Sequence, residues 1–313
     1  MRRVVGLVLM GLFAFLLVVG VYAQFFLPGV VKKTPLDVNS LTLLSGTGSY
    51  LGSEIGPVSV WQRTTNAKGS TSEVVVMQNF TCVTKDPNGQ PAQSPDCPPV
   101  GDPLLINAAP DKFATDRVTA LAVPGTALLG AEGEAHEGLV NKFPFDVEKK
   151  TYPFWDGVLG RAVDAQFQGV EDVRGLSTYK FHILVENEST DIAPETPGTY
   201  SDDKTIWVDP ATGAIIDQTE KQVRALPSGD LALDLNIAFR DETVKANVDD
   251  AKANGSKLGI IALLPWVAYV LAAIALVGSI ILLRSSSADE EAGPPPADSD
   301  LDGMLQTRGS RSS

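Results

Sequence analysis

Few residues in this sequence have side chains suited to chemistry. It contains two histidines, His136 and His182. His136 lies in an acidic, glycine-containing stretch with Glu132, Glu134 and Glu137, and imidazole and carboxylate groups can together bind a divalent metal. A solvated acidic loop has the same composition and is far more common. We therefore predict no metal site in this stretch.

Motifs that specify a reaction are absent from the sequence. It has no HExxH, CxxC, GxSxG, glycine-rich phosphate loop or EF-hand pattern. We interpret Asp202, Asp203 and Asp209 as turn residues. Paired carboxylates of the glycosidase kind meet only in the folded chain, so an enzyme without a recognisable motif remains an alternative. We predict no catalytic residue and no cofactor.

The two cysteines, Cys82 and Cys97, flank a loop rich in proline and glycine. On the loop-entropy model, a disulfide closing such a loop contributes ~3 kcal/mol. It would form and persist only in an oxidising compartment. The alternative is two unpaired buried thiols. We predict the disulfide, which places this part of the chain outside the cytoplasm.

Two apolar segments are long enough to cross a bilayer, which needs roughly 20 apolar residues. Residues 4–27 contain no charge, and residues 258–283 contain no ionisable side chain. The first segment also carries a small-x-small signal-peptidase site ending at Ala23. Cleavage there is the alternative to an uncleaved anchor. We predict an anchor, because the chain stays apolar beyond Gln24.

The flanking charges orient the predicted spans. Arg2 and Arg3 precede the first span and Arg284 follows the second, which favours cytoplasmic termini. We therefore predict a multi-pass protein of the plasma membrane with its central domain outside. The predicted organisation is a cytoplasmic N-terminus (1–3), a transmembrane helix (4–27), an extracytoplasmic β-rich domain (28–257), a second transmembrane helix (258–283) and a disordered cytoplasmic tail (284–313).

The central region has mainly the periodicity of strands, so we predict an α+β fold in which a mainly antiparallel β domain is anchored by two transmembrane helices. Apolar residues alternate perfectly from Leu231 to Phe239. A hairpin is predicted around Asp209–Gly213, and a short helix after Phe239 that ends near Gly255. The other predicted strands are residues 73–83, 116–123, 161–170, 178–188 and 214–226.

Charge excludes one class of partner. Residues 28–257 carry 20 Lys and Arg against 32 Asp and Glu, and the whole chain has a net charge of -13. Nucleic-acid binding needs basic residues that displace counterions from phosphates. We therefore predict no nucleic-acid partner.

Small residues recur at helical spacing in the second apolar segment. Such a stripe lets another helix approach closely, although alanine is also simply common in this segment. We predict the stripe as the contact surface of a homo-oligomer. It consists of Ala268, Ala272, Ala275 and Ser279.

Three stretches set between the two apolar segments resemble a known family. They are "KFPFDVEKKTYPFWD" (142–156), "GVEDVRGLSTYKF" (169–181) and "IWVDPATGAIID" (206–217), and the chain from residue 1 to about residue 283 is similar to the actinobacterial PorA-family membrane proteins. The resemblance implies terminal membrane helices around a β-rich extracytoplasmic region, and the family name implies a porin. A fainter similarity is to envelope lipoproteins that carry lipids in a curved half-barrel.

Three functions are consistent with these features. The leading prediction is a non-enzymatic envelope protein whose tethered domain binds or transfers a lipid, a glycolipid or a protein partner. The second is an oligomeric porin or transporter component. The third is an envelope enzyme without a recognisable motif.

Overall fold

A computed structural model describes residues 1–86, 97–125, 128–130 and 133–291. The chain forms two compact units. One combines Met1–Leu27 with Ala262–Ser313, and the other is Pro28–Ile261. The fold class is α+β, as predicted.

Three helices are described: α1 (Arg2–Phe25), α2 (Leu27–Val31) and α3 (Asp241–Glu291). By length and composition, α1 and α3 each contain a segment apolar enough to cross a membrane.

The prediction that the helix after Phe239 ends near Gly255 was wrong, because α3 continues through Gly255 and Pro265. A glycine inside a helix costs only about 1 kcal/mol, and the apolar segment that follows is itself helical. The helix also extends beyond residue 284, where the sequence predicted a disordered tail. Residues 292–313 of that predicted tail lie outside the described part of the chain.

The unit Pro28–Ile261 contains a sheet of ten strands. Their bounds are β1 Asn39–Tyr50, β2 Ser53–Asn66, β3 Val74–Lys85, β4 Leu105–Asp116, β5 Tyr152–Asp156, β6 Arg161–Val173, β7 Leu176–Ala193, β8 Thr196–Val208, β9 Ile215–Ala225 and β10 Leu231–Phe239. The order across the sheet is β4-β3-β2-β1-β10-β9-β8-β7-β6-β5, and each neighbouring pair is antiparallel.

The sheet is curled, and the connection between β4 and β5 links its two edges. Isolated backbone bridges join Thr115 to Ala122, Leu121 to Leu139, and Leu139 to Phe154. Hydrogen bonds from Ala122 N to Gly138 O (2.7 Å) and from Leu139 N to Pro153 O (2.8 Å) belong to this linkage. The edge strands β4 and β5 therefore make further backbone contacts with this connection, so neither edge is left wholly unpaired.

The strand predicted at residues 116–123 was wrong. The Asp116 carboxylate accepts hydrogen bonds from the backbone N–H groups of Val118 (2.9 Å) and Thr119 (2.7 Å). This side-chain capping stabilises a turn in competition with a strand. The segment therefore reverses after β4, and only Leu121 and Ala122 make strand-like bridges.

The alternation predicted for two strands is confirmed. Phe181, Ile183 and Val185 of β7 are buried, as are Leu233, Leu235 and Ile237 of β10. Leu139 and Phe143, from the connection between β4 and β5, pack in the same core cluster as Phe181 and are fully buried. The apolar face around Phe181 is therefore covered by side chains of this connection.

The hairpin predicted around Asp209–Gly213 is confirmed as the turn between β8 and β9. Asp209 Oδ2 accepts a hydrogen bond of 3.0 Å from Thr212 N. Gly213 has φ of +73°, and a Cβ there would lie 2.1 Å from the carbonyl oxygen of Phe143. Only glycine fits this position without displacing backbone.

In the other unit, α1 packs against the small-residue stripe of α3. Ala268, Ala272, Ala275 and Ser279 are all buried. The Ser279 hydroxyl donates a hydrogen bond of 2.8 Å to Gly6 O. The stripe thus contacts a helix of its own chain, and homo-oligomerisation through it stays a prediction.

Candidate functional site

Strands β6 and β7 separate along part of their length. Their pairing runs from the turn at Val173 and Leu176 as far as Ala165 and Ile183, where it stops. Both strands continue, since residues 161–164 remain paired with β5 and β7 remains paired with β8. The separation forms a cleft of about 460 Å³, which we call the β6–β7 cleft.

The lining of the β6–β7 cleft is mainly polar. Arg161 Nη2 lies 3.1 Å from Glu188 Oε1, and each side chain is about half exposed. Such an exposed ion pair contributes little to stability. His182 Nε2 lies 2.8 Å from Asp203 Oδ1. The lining consists of Arg161, Ala162, Val163, Asp164, Gln166, His182, Leu184, Val185, Glu186 and Glu188.

A small apolar cluster contains two of the lining residues. Val163 and Val185 pack with Tyr200 of β8 and with Val158 and Leu159 of the turn between β5 and β6. The contacts of this cluster therefore link the two strand pairs where the β6–β7 ladder has stopped.

Tyr200 and Asp156 add a polar link beside this cluster. The Tyr200 hydroxyl donates a hydrogen bond of 3.0 Å to Asp156 Oδ2. Asp156 Oδ1 accepts hydrogen bonds of 2.9 Å from the backbone N–H groups of Val158 and Leu159. Asp156 therefore fixes the β5–β6 turn and holds it to β8.

Next to Tyr200, the same face of β8 carries a buried charged pair. Lys204 Nζ lies 3.1 Å from Asp202 Oδ2 and 3.5 Å from Glu220 Oε2. The Asp202 side chain is fully buried. Neither of its oxygens has a hydrogen-bond partner of good geometry. Burying an ionised carboxylate without hydrogen-bond donors costs free energy of folding.

Glu220, the carboxylate on β9, accepts hydrogen bonds from two neighbouring side chains. Gln218 Nε2 and Gln222 Nε2 donate hydrogen bonds of 2.9 and 3.1 Å to the Glu220 carboxylate. Arg224 Nε donates one of 3.0 Å to Gln222 Oε1. The Glu220 carboxylate therefore has side-chain hydrogen-bond donors that the Asp202 carboxylate lacks.

The pKa values follow from this environment. Burial raises the pKa of Asp202 to about 7, since the opposing effect of Lys204 is smaller. Burial alone would lower the pKa of Lys204, but the charges of Glu220, Asp202 and Asp156 raise it. Lys204 therefore stays charged, while Asp202 is the member of the group that titrates near neutral pH.

The interpretation of Asp202 and Asp203 as turn residues was wrong, because both lie within β8; Asp209 does lie in a turn. Tyr200, Lys204 and Glu220 were not predicted from the sequence. Period-two spacing was the available signal. It places Tyr200, Asp202 and Lys204 on the same face of the strand as buried Ile206.

The structure does not gather the acidic stretch around His136 into a metal site. Glu134 and Glu137 are exposed, and Glu132 lies outside the described residues. Among the residues that the structure describes, no group of three or more His, Cys, Asp or Glu side chains could hold a metal ion.

His136 itself is buried, contrary to the predicted solvated loop. Its ring lies between Phe113 of β4 and Trp155 of β5, at centroid distances of 5.5 and 4.3 Å. Nε2 lies 3.2 Å from Asp111 Oδ2. Burial alone would lower the pKa of His136, but the hydrogen bond with Asp111 leads the effects that raise it. His136 thus connects the two edge strands of the sheet.

Cys82 and Cys97 are joined by a disulfide, with their Cα atoms 5.9 Å apart. Most of the loop that it closes, residues 87–96, lies outside the described residues. The cysteine pair predicted from the sequence is thus brought together.

A curled antiparallel sheet accompanied by two helices able to span a bilayer defines a class of membrane protein with a large β-rich domain. The family model described as Porin PorA matches residues 5–281, so the chain belongs to the PorA family. The resemblance seen in the sequence is confirmed.

A relative and a solved structure give more limited comparisons. The chain is 30% identical over 93 residues to Porin PorA of Corynebacterium amycolatum, which covers 26% of this chain and 24% of that protein. It thus matches about a quarter of that relative's length. A LolA superfamily protein from Nitrosomonas europaea is 10% identical over 70% of this chain and 94% of that chain, with a TM-score of 0.14. That likeness is too low to carry an argument.

Proposed function

We propose that this protein is a non-enzymatic membrane protein of the cell envelope whose β-rich domain binds an envelope partner. The observation that carries the proposal is the β6–β7 cleft, where two continuous strands separate and leave an open, polar groove. Concave sites with a few convergent polar groups are the usual binding sites of proteins.

The character of the cleft favours a protein segment or a polar head group over an apolar lipid chain. Leu139, Phe143 and Phe181 are fully buried and pack together in one core cluster. Three carboxylates, Asp164, Glu186 and Glu188, lie in the open cleft. Glu188 is already paired with Arg161. A polar partner can satisfy Asp164 and Glu186, whereas an acyl chain would remove them from water without giving them a partner.

Site-specific photo-crosslinking in the native host's membranes tests this proposal. A photoreactive residue replaces Leu184, which lines the cleft and is 52% exposed, in the full chain. Val170, which is 48% exposed and lies outside the cleft, provides the matched control. We expect one adduct of defined mass at position 184 and none at position 170. Equal labelling at both positions, or no adduct at either, would overturn the proposal.

A pore-forming role is the second candidate, and the family match to Porin PorA favours it. The geometry of the helix pair favours it less. The Tyr269 hydroxyl donates a hydrogen bond of 2.7 Å to Gln24 Oε1, and Ser279 bonds to Gly6 O. These polar groups are therefore used between the two helices of one chain. A pore would require several chains, since polar side chains must line an aqueous path.

Conductance measurements distinguish the two candidates. We expect the purified full chain to add no channel events to a planar bilayer. Discrete events that disappear when the helix pair is disrupted would instead support the pore.

A further inference from the structure

The chemistry of the β6–β7 cleft narrows the kind of partner. Building on the proposed function, we propose that the cleft binds an extended peptide segment with alternating basic and apolar side chains, which pairs as a strand with the free edges of β6 and β7.

Both strands have an unpaired backbone edge in the cleft. Along residues 161–164, β6 is paired with β5 on one side only. On β7, Leu184, Val185 and Glu188 are paired only with β8, and Glu186 and Asn187 lie at a register shift between them. Free strand edges present backbone donors and acceptors that another chain can use, as in β-augmentation.

The gap between β6 and β7 is not a frayed end of the two strands. Beyond the last paired residues, β6 extends back to Arg161 and β7 extends on to Ala193. A register shift in the β7–β8 pairing falls between Val185 and Glu188, where Asn187 has φ of +50°. Such bulges redirect a strand and end its pairing, and they often occur at functional sites.

The charge of the cleft also favours a basic peptide. Asp164, Glu186 and Glu188 lie in the cleft against a single arginine, Arg161. Basic side chains of a peptide would complement this excess of carboxylates. Val163 and Val185 line the same cleft on the opposite face of the two strands from Asp164 and Glu186, and offer an apolar contact. Because side chains alternate along a strand, one peptide can present both kinds of side chain.

Hydrogen-exchange mass spectrometry on the full chain in lipid nanodiscs tests this inference. The probe is a synthetic peptide of alternating lysine and valine. The control peptide has the same sequence with every backbone amide methylated, which keeps its charge but removes the N–H donors on both sides of the strand. We expect slower exchange at residues 161–164 and 184–188 with the first peptide. We expect binding weakened by about tenfold or more with the second, because several backbone hydrogen bonds are lost.

Charge variants give a second measurement. We expect the double variant Glu186→Gln and Glu188→Gln to weaken peptide binding severalfold. Glu54→Gln, an exposed position on β2, should not change it. Exchange that is unchanged by the peptide, or that both peptides slow equally, would overturn strand pairing. If crosslinking at position 184 still yields an adduct, the proposed function stands and its partner is not a strand; if no adduct forms, both proposals fail.

Discussion

Tyr200 of β8 donates a hydrogen bond to Asp156 at the end of β5, and so connects strands that are separated in the sheet by β6 and β7. Two polar contacts connect the strands on either side of the β6–β7 cleft. One is this buried hydrogen bond, and the other is the exposed ion pair between Arg161 and Glu188. Burial makes the two links very unequal in energy.

We predict that Tyr200→Phe lowers the free energy of unfolding by about 1–3 kcal/mol, because it leaves a buried carboxylate oxygen without its donor. Arg161→Ala should cost about 1 kcal/mol or less, since its ion pair is solvated. Urea unfolding of the full chain in detergent micelles, followed by tryptophan fluorescence, measures both. Equal losses in the two variants would show that the buried hydrogen bond contributes no more to stability than the exposed ion pair does.

Asp202 should make the protein less stable as the pH rises through the acid range. Its carboxyl pKa is about 7 in the folded chain, above its ordinary value of 3.8. Between these values the unfolded state has lost the proton that the folded state keeps, so stability falls from about pH 4 to about pH 7 and then levels off. The expected loss is on the order of 2–4 kcal/mol.

Melting temperatures measured from pH 4 to pH 8 check this dependence. Asp202→Asn should flatten the profile across that range. Asp203→Asn is the matched control, because Asp203 is the next residue on β8 and its side chain is 60% exposed. Parallel profiles for the wild type and Asp202→Asn would contradict the assignment.

His136 should affect the stability of the protein over a different pH range. Its pKa is raised above the ordinary value of 6.5, so its contribution is fully present below pH 6.5 and is lost as the pH rises through the folded pKa. His136→Gln should therefore destabilise the protein most at acid pH, with the difference shrinking toward alkaline pH. Hydrogen exchange of the edge strands β4 and β5 reads this out. A difference that does not change with pH would contradict it.

The elements predictable from sequence were those with local signals. The alternation from Leu231 to Phe239 and the Asp209–Gly213 turn each depend on nearby residues. Residues 116–123 looked equally strand-like, yet the Asp116 side chain caps a turn there. Local propensity was overridden by one short polar side chain.

The candidate site was much less predictable. The bond between Tyr200 and Asp156 joins residues 44 positions apart, so no local pattern indicates it. The separation of β6 from β7 is likewise a property of two strands together. The sequence shows Asp202 beside Asp203 but does not show that one is buried and the other exposed.

The close contact between α1 and α3 predicts that a larger side chain at Gly20 weakens the pairing of the two helices. A Cβ on Gly20 would lie 2.5 Å from Tyr269 Cε1, whereas nothing lies within 4 Å of a Cβ on Gly11. Gly20→Leu should therefore destabilise the pairing of α1 with α3 by about 1–3 kcal/mol, and Gly11→Leu should not. Oxidative crosslinking between cysteines placed at Leu9 and Gly278, which are in contact, measures the pairing. Unchanged crosslinking in Gly20→Leu would contradict this arrangement.

Reduction of the disulfide between Cys82 and Cys97 should cost about 3 kcal/mol of stability, because it releases a loop with a sequence separation of 15. If the β-rich domain lies outside, neither cysteine should react with an alkylating reagent in intact, unreduced cells. Mass spectrometry counts the alkyl groups. Free reaction of both cysteines would contradict both the bond and the predicted location.

The most direct test of the central claim is native mass spectrometry of the full chain extracted in detergent from the native host's membranes. It compares the wild type with Ala162→Trp, which fills the β6–β7 cleft, and with Val170→Trp outside the cleft, once both variants melt like the wild type. We predict a bound partner of defined mass on the wild type and Val170→Trp, and its loss from Ala162→Trp. An empty wild-type protein, or a partner retained by all three, would contradict binding in the cleft.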